Sequence, residues 1–415
     1  MRRTVLNFIL LLVWLHAGAG AGARPLTVDA GNLAAWQAEA RQSHPSVAAA
    51  KARSRAAHAA AGAVRLWQDP MLGLGLTAAS RSMRMDDGDV RVMAEQQLPR
   101  PGLYLAQREK ALAAERTSQA EVAVSANALE LEVAKTALEL ALSDETLAIE
   151  EQQFSWVERM ETNAKEKLKD PAANAAESLR LASELTQERQ KLNAARRERL
   201  RLAQQLNLLL GRPVTQAWPL LALPPAADST PVVRNEWVAL VAQHPRLAAL
   251  RHMVEGAGAE IAIAGEERKP VVTLSLETNA YHNGDVRDTM LGVRLSLPWW
   301  NRAAYKANEE RARQEKAAAI KDIESAEREL GSQAVTAISE AQNAGRQAAA
   351  FAKEVLPDAE KAAQAVENSW VSTKSTLAEV LEARRSLLSA RMEQRRFVAA
   401  QHAALATLRS LRGTR

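Results

Sequence analysis

Four short stretches of this chain alternate apolar and polar residues with the period of a β-strand. In the first, Leu72, Leu74, Leu76 and Ala78 alternate with Gly73, Gly75 and Thr77. In the second, Val90, Val92, Ala94 and Leu98 alternate with Arg91, Met93, Glu95 and Gln97, with Gln96 as the only break. The third sets Val272, Leu274 and Leu276 against Thr273, Ser275 and Glu277, and the fourth sets Leu291, Val293, Leu295 and Leu297 against Gly292, Arg294 and Ser296. The pattern predicts strands at about 71–79, 90–98, 271–278 and 290–297. Polar linkers with Asp87-Gly88 and Asn283-Gly284 join the members of each pair and predict hairpin loops. Prolines at 70, 99, 101, 270 and 298 mark every junction with a helix.

Between the strand pairs the period is helical. Leu103 to Leu168 has neither proline nor glycine and is dominated by good helix formers. At 1.5 Å per residue such a run makes one rod roughly 100 Å long. Its counterpart runs from Arg302 to about Glu367, with Gly331, Gly345 and Pro357 as expected bends. Shorter helices are predicted at Leu33–Trp67, Ala172–Leu210, Asn235–Glu267 and Thr376–Leu411. Leu129, Val133, Leu140 and Leu147 form one apolar seam, and Leu131, Leu138, Leu142 and Ile149 a second, so the long rod packs on two sides. On the helices alone, a long soluble coiled-coil bundle is the preferred reading.

The strands decide against that reading. One apolar face and one small or charged face is the signature of a membrane β-strand with lipid outside and water inside. Four strands cannot close alone, since the smallest barrels need about eight, so the barrel has to be shared between chains.

The two halves repeat each other at a shift of about 200 residues. His44-Pro45 returns as His244-Pro245, Pro70 as Pro270, Leu98-Pro99 as Leu297-Pro298, and Ala176-Glu177-x-Leu179 as Ala378-Glu379-x-Leu381. Each half is therefore one copy of a helix, strand, strand, helix, helix unit. Residues 24–211 form the first copy and 232–415 the second. Between them, 212–231 is rich in Pro and Ala, breaks both periods and is expected to wrap the outside of the helices as a crossover.

Residues 1–23 look like a signal peptide: Arg2 and Arg3, an apolar stretch from Val5 to Leu15, and Ala21-Gly22-Ala23 before Arg24. No later segment reaches the roughly 18 consecutive apolar residues of a membrane helix. The chain has no cysteine, which excludes disulfides, thiolate metal sites and an N-terminal lipid-bearing cysteine. Its formal net charge of +5 comes from basic residues interleaved with acids, so no nucleic-acid footprint is indicated. No phosphate loop, nucleophile motif or paired-carboxylate constellation appears, and no cofactor and no enzymatic activity are expected. The repeated His44 and His244 point to a structural role. Met71, Met83, Met85, Met93 and Met290 lie on or between the strands, and soft thioethers can bind Cu(I), but lipid-facing or gap-filling packing is preferred and no metal site is assigned.

With these features in place, the chain resembles the TolC-like outer membrane efflux proteins over nearly its whole mature length. The most specific stretch is Trp370 to Arg391, WVSTKSTLAEVLEARRSLLSAR, similar to the family's second periplasmic turn and the helix after it. EQQLPRPG (Glu95 to Gly102) and LSLPWWNR (Leu295 to Arg302) resemble its strand-to-helix junctions. The resemblance implies an α+β membrane protein in which three chains supply twelve strands to one outer-membrane β-barrel, continued by a long periplasmic α-helical barrel. It also implies a homotrimer in outer membrane lipid, a periplasmic adaptor and an inner-membrane pump as partners, and passive conduction of cargo such as metal cations or drugs. The alternative is a secreted periplasmic coiled-coil structural or adaptor protein without a pore.

Glu379 and Glu382 line up with two acidic positions that narrow the periplasmic mouth in such proteins, and three copies would make two carboxylate rings suited to cations. The competing reading is ordinary exposed helix carboxylates, with Glu382 and Arg385 as i, i+3 neighbours. Matched positions in the first half are Glu177 and Arg180, which puts the expected gate in the second half. Trp370 is expected at the closed mouth. Asp170, Pro171, Ser372 and Thr373 occupy the turns that would meet an adaptor, although Pro171 and Thr373 stand where the family usually carries glycine. Trp67, Tyr104, Trp299 and Trp300 sit beside the strand junctions as a candidate aromatic belt; core packing under the barrel is the competing reading, and for Trp67 the two stand level.

Overall fold

A computed structural model of the chain describes residues 25–76, 90–167, 175–227, 241–281, 284–372 and 374–412. The segment expected to be a signal peptide and the first expected hairpin loop, with Met83 and Met85, lie outside these residues. A two-residue strand β1 (Leu26–Thr27) leads into α1 (Ala30–Ser43) and α2 (Pro45–Gly62). The hairpin β2 (Met71–Leu76) and β3 (Val90–Gln97) follows, then α3 (Pro101–Lys167) and α4 (Ala175–Leu210). After β4 (Leu221–Ala222) the second half runs through α5 (Pro245–Glu267), β5 (Val272–Ala280) and β6 (Val286–Leu295). It then continues through α6 (Arg302–Ala350), a π-helical turn (Phe351–Val355), α7 (Leu356–Val371) and α8 (Leu377–Leu411).

The expected helix at Leu33–Trp67 breaks at His44 and stops at Gly62, leaving Trp67 outside it. Pro45 disfavours helical backbone at the residue before it, and His44 takes the extended conformation and caps α2, its Nδ1 accepting from Ser46 N at 3.2 Å. The second half repeats the device: His244 Nδ1 accepts from Arg246 N at 3.2 Å, and Pro245 starts α5. The duplication is thus built into local backbone chemistry.

Helix α3 runs unbroken for 67 residues, about 100 Å. Its counterpart does not bend at Gly331 or Gly345, both buried within α6; the irregularity is the π turn just before Pro357. Proline lacks the N–H that an α-helix would bond at that position, and a π turn accommodates the loss.

Helix α3 packs against α2 and α5 toward its strand end, and against α4 and α8 toward the other. Helix α6 packs against α5 and then α8, so short helices stacked end to end match each long column. Leu129, Val133, Leu138 and Leu140 are buried, with Leu33, Trp36 and Val47 from α1 and α2 and Leu202, Leu206 and Leu210 from α4 in the same core.

The linker corrects its expectation. Trp218, Leu221 and Leu223 are buried in that same core rather than wrapped outside it, and β4 pairs in parallel with β1. Polar side chains meet its unpaired backbone: an Asp144 carboxylate oxygen accepts from Leu221 N at 2.8 Å, and Glu145 from Leu223 N at 2.9 Å. Gln401 clamps Ala227 through both backbone groups, at 3.1 and 2.8 Å.

The four long strands form one antiparallel sheet in the order β2-β3-β5-β6. Strand β6 starts four residues earlier than predicted, because polar cross-strand pairs extend the ladder where the apolar alternation stops. Asn279 Nδ2 donates to Asp288 Oδ1 at 2.7 Å, and the Thr278 and Thr289 hydroxyls lie 3.4 Å apart.

Candidate functional site

The strand register sorts the sheet into two chemically distinct faces. Residues directly opposite in an antiparallel ladder point the same way. Leu72, Ala94, Leu276 and Leu291 form one row, and Leu74 with Val92, Leu274 with Val293, and Val272 with Leu295 fall on the same side. Its outer rows stand bare among the described residues: Leu72, Leu74 and Leu76 are 80–84% exposed and Leu291 76%. A contiguous apolar face of this kind marks contact with another apolar phase.

The opposite face holds Arg91, Glu95, Glu277, Asn279, Asp288 and Arg294. Its charges are joined in pairs: Arg294 donates to both oxygens of Glu95, at 2.9 and 3.2 Å, and Arg91 Nε lies 3.0 Å from Glu277 Oε1. Met71, Met93 and Met290 share this polar face, so the lipid-facing reading of these methionines is overturned by the register. Met93 instead fills the space above Gly73, where a Cβ would stand 3.3 Å from its terminal methyl.

All four candidate belt aromatics sit where sheet meets helices. Trp67 precedes β2, Tyr104 lies in the first turn of α3, and Trp299 and Trp300 form the short 3-10 turn between β6 and α6. Trp67 is 54% exposed, Trp299 55% and Trp300 82%, so in the single chain these three are surface side chains rather than core. The Tyr104 hydroxyl accepts from Arg108 at 3.1 Å.

The far end of the helical columns carries the remaining candidates. Asp170, Pro171 and Thr373 lie outside the described residues. Ser372 Oγ donates to the carbonyls of Asn368 (3.0 Å) and Ser369 (3.1 Å), closing the end of α7. Thr376 caps α8 in a reciprocal box: its hydroxyl accepts from Glu379 N at 3.3 Å, and a Glu379 carboxylate oxygen accepts from Thr376 N at 2.8 Å. Glu382, one turn on, is exposed beside Arg385, which donates to Glu184 at 2.6 Å. Trp370 packs on a cluster of Trp156, Val157, Leu181, Leu377 and Leu381 that ties α7 and α8 to α3 and α4. Within the cluster's polar border, the Arg384 guanidinium stacks 5.1 Å over the Trp156 ring, and burial lowers its pKa.

Sequence reasoning missed the β1–β4 pairing, the histidine caps and the ion-pair partners. The repeated His-Pro dipeptides were the available signal for the caps. No signal existed for the pairs, because Arg294 and Glu95 lie 199 residues apart.

Residues 238–414 match the outer membrane efflux protein family. Comparison with curated proteins gives no significant match. Among solved structures, the chain is similar to the outer-membrane channel OprN, with a TM-score of 0.78 at 17% identity over 92% of this chain and 90% of that one. It is similar to VceC from Vibrio cholerae, with a TM-score of 0.77 at 16% identity over 92% and 96%. CmeC of Campylobacter jejuni gives a TM-score of 0.78 at 13% identity over 92% and 85%. The described chain thus shares the fold of these outer-membrane channels, and residues 238–414 carry the match to the outer membrane efflux protein family.

Proposed function

We propose that this chain is one third of an outer-membrane exit duct: a homotrimer whose sheets close into a twelve-stranded barrel and whose helical columns form a tunnel reaching into the periplasm. The observation that carries this reading is the two-faced sheet. Leucine and valine rows stand bare on one side, while paired charges line the other, as a lipid-facing wall around water requires. The outer edges of β2 and β6 have no partner strand among the described residues, and a sheet with two open edges is completed by pairing with further copies.

In this duct Trp67, Tyr104, Trp299 and Trp300 lie at the periplasmic boundary between outer-membrane lipid and water. The turn at Ser372, where α7 ends, marks the periplasmic tip, where an adaptor delivers cargo from an inner-membrane pump. Glu379 and Glu382 line the mouth as carboxylate rings, with Trp370 buttressing the helices behind them. The chain contributes conduction and gating, and energy comes from the pump.

Heat-modifiable trimers in the outer membrane fraction, and single-channel currents from the purified protein in planar bilayers, are the expected results. A soluble periplasmic species without conductance would instead establish a coiled-coil structural or adaptor protein.

A further inference from the structure

The polar face of the sheet carries two arginines, Arg91 and Arg294, and each is paired with an acid of the same face. Arg294 is the far-reaching member. It sits on β6 opposite Thr273, yet its guanidinium crosses the whole of β5 to clamp Glu95 on β3. The crossing is possible because β5 presents only Thr273 and Ser275 beneath it. Gly292 completes the clearance, since a Cβ there would stand 2.6 Å from Ser275 Oγ. The guanidinium lies outermost, its side chain 67% exposed over a Glu95 side chain that is 9% exposed. Arg91 and Glu277 form a second, shorter crossing between β3 and β5 at 3.0 Å.

Resting on the duct reading above, we infer that the Arg294–Glu95 pair is a specificity-determining element of the barrel: it cancels charge on the lumenal wall, so that the barrel segment passes ions of either sign. The physical reason is local. An arginine without its carboxylate leaves a positive potential on the wall of a narrow water-filled passage, repeated once per copy, and rings of one sign select ions of the other. The bidentate pair keeps donor and acceptor within one hydrogen bond of each other, and the field of such a pair falls off much faster than that of a bare charge.

The test is the reversal potential across a KCl gradient in planar bilayers, using trimers first checked for heat-modifiable migration. Glu95→Gln is expected to shift the reversal potential toward chloride, and Arg294→Gln toward potassium. The charge exchange Glu95→Arg with Arg294→Glu is expected to restore the wild-type value. Should either variant at the buried Glu95 fail to assemble, Arg91→Gln, at a side chain 57% exposed, provides the same potassium-directed shift from the second pair. Conducting variants whose reversal potentials all match wild type would overturn the inference. Absence of current from the wild-type protein would instead remove the duct reading beneath it.

Discussion

The Glu379 carboxylate accepts the backbone N–H of Thr376 at 2.8 Å, while the Thr376 hydroxyl accepts from Glu379 N at 3.3 Å. One of the two acids proposed for the periplasmic mouth is therefore also a structural part of the helix that presents it. Glu382 has no share in the cap. The two acids differ in what their removal does.

Replacing Glu382 with Gln is expected to lower cation selectivity while leaving thermal stability unchanged. Glu379→Gln should lower selectivity and keep the cap, because an amide oxygen accepts the same N–H. Thr376→Ala removes the cap at a cost of about 1 kcal/mol without touching charge. Reversal potentials measured beside thermal melting separate these outcomes, and unmoved selectivity in both glutamate variants would refute their role at the mouth.

Gly211 ends α4 at φ +70°, with its N–H on Leu208 O at 3.2 Å and Arg212 N on Asn207 O at 2.8 Å. This is a Schellman closure, and it turns Arg212 onto Glu39 with two bonds of 2.6 Å. Gly211→Ala is expected to cost about 1–2 kcal/mol for the left-handed backbone alone. Further loss follows because its Cβ would stand 2.8 Å from that of Ser43. A melting temperature equal to wild type would contradict this.

His244 caps α5 through an unprotonated Nδ1, and burial, aided by the Arg246 charge, holds its pKa below the ordinary 6.5. A group held low in the folded state binds its proton more readily when unfolded. Its contribution is therefore complete above pH 6.5 and is lost as pH falls from there through the lowered folded value. His244→Asn, which caps without titrating, is expected to flatten this part of the stability–pH curve. Parallel curves for variant and wild type would show that the cap does not titrate.

Glu150 on α3 is held above its ordinary 4.5 by burial and by the neighbouring Glu188 on α4, against the attraction of Lys191. Here the charged form is the disfavoured one. The penalty is complete above the raised folded value, shrinks as pH falls through it, and is gone below 4.5. Glu150→Gln is accordingly expected to raise the melting temperature at pH 7 and to lose that gain below pH 4.5. Destabilisation at neutral pH would mean that the ionised carboxylate is needed where it stands.

Much of the fold was legible because its signals are local. The proline-free run before Leu168 gave the long α3, and strict alternation at Leu72–Leu76 and Leu291–Leu295 gave strands and the side each residue takes. Expectations failed where a distant partner intervened. Strand β6 began early because Asn279 reaches Asp288, and the linker entered the core because Asp144 and Glu145 accept its free N–H groups. The candidate site divides in the same way: the aromatic junction residues stood out by position, whereas the paired charges of the polar face did not.

The sequence by itself determined the duplicated unit, the two-faced strands and the long α3, since alternation and helix propensity act within a few residues. Only the tertiary structure decided which charges neutralise one another, that Glu379 closes a cap, and that Trp218 and Leu221 belong to the core. Those outcomes depend on bringing together residues such as Glu95 and Arg294 from opposite halves of the chain, through a strand register that no single segment contains.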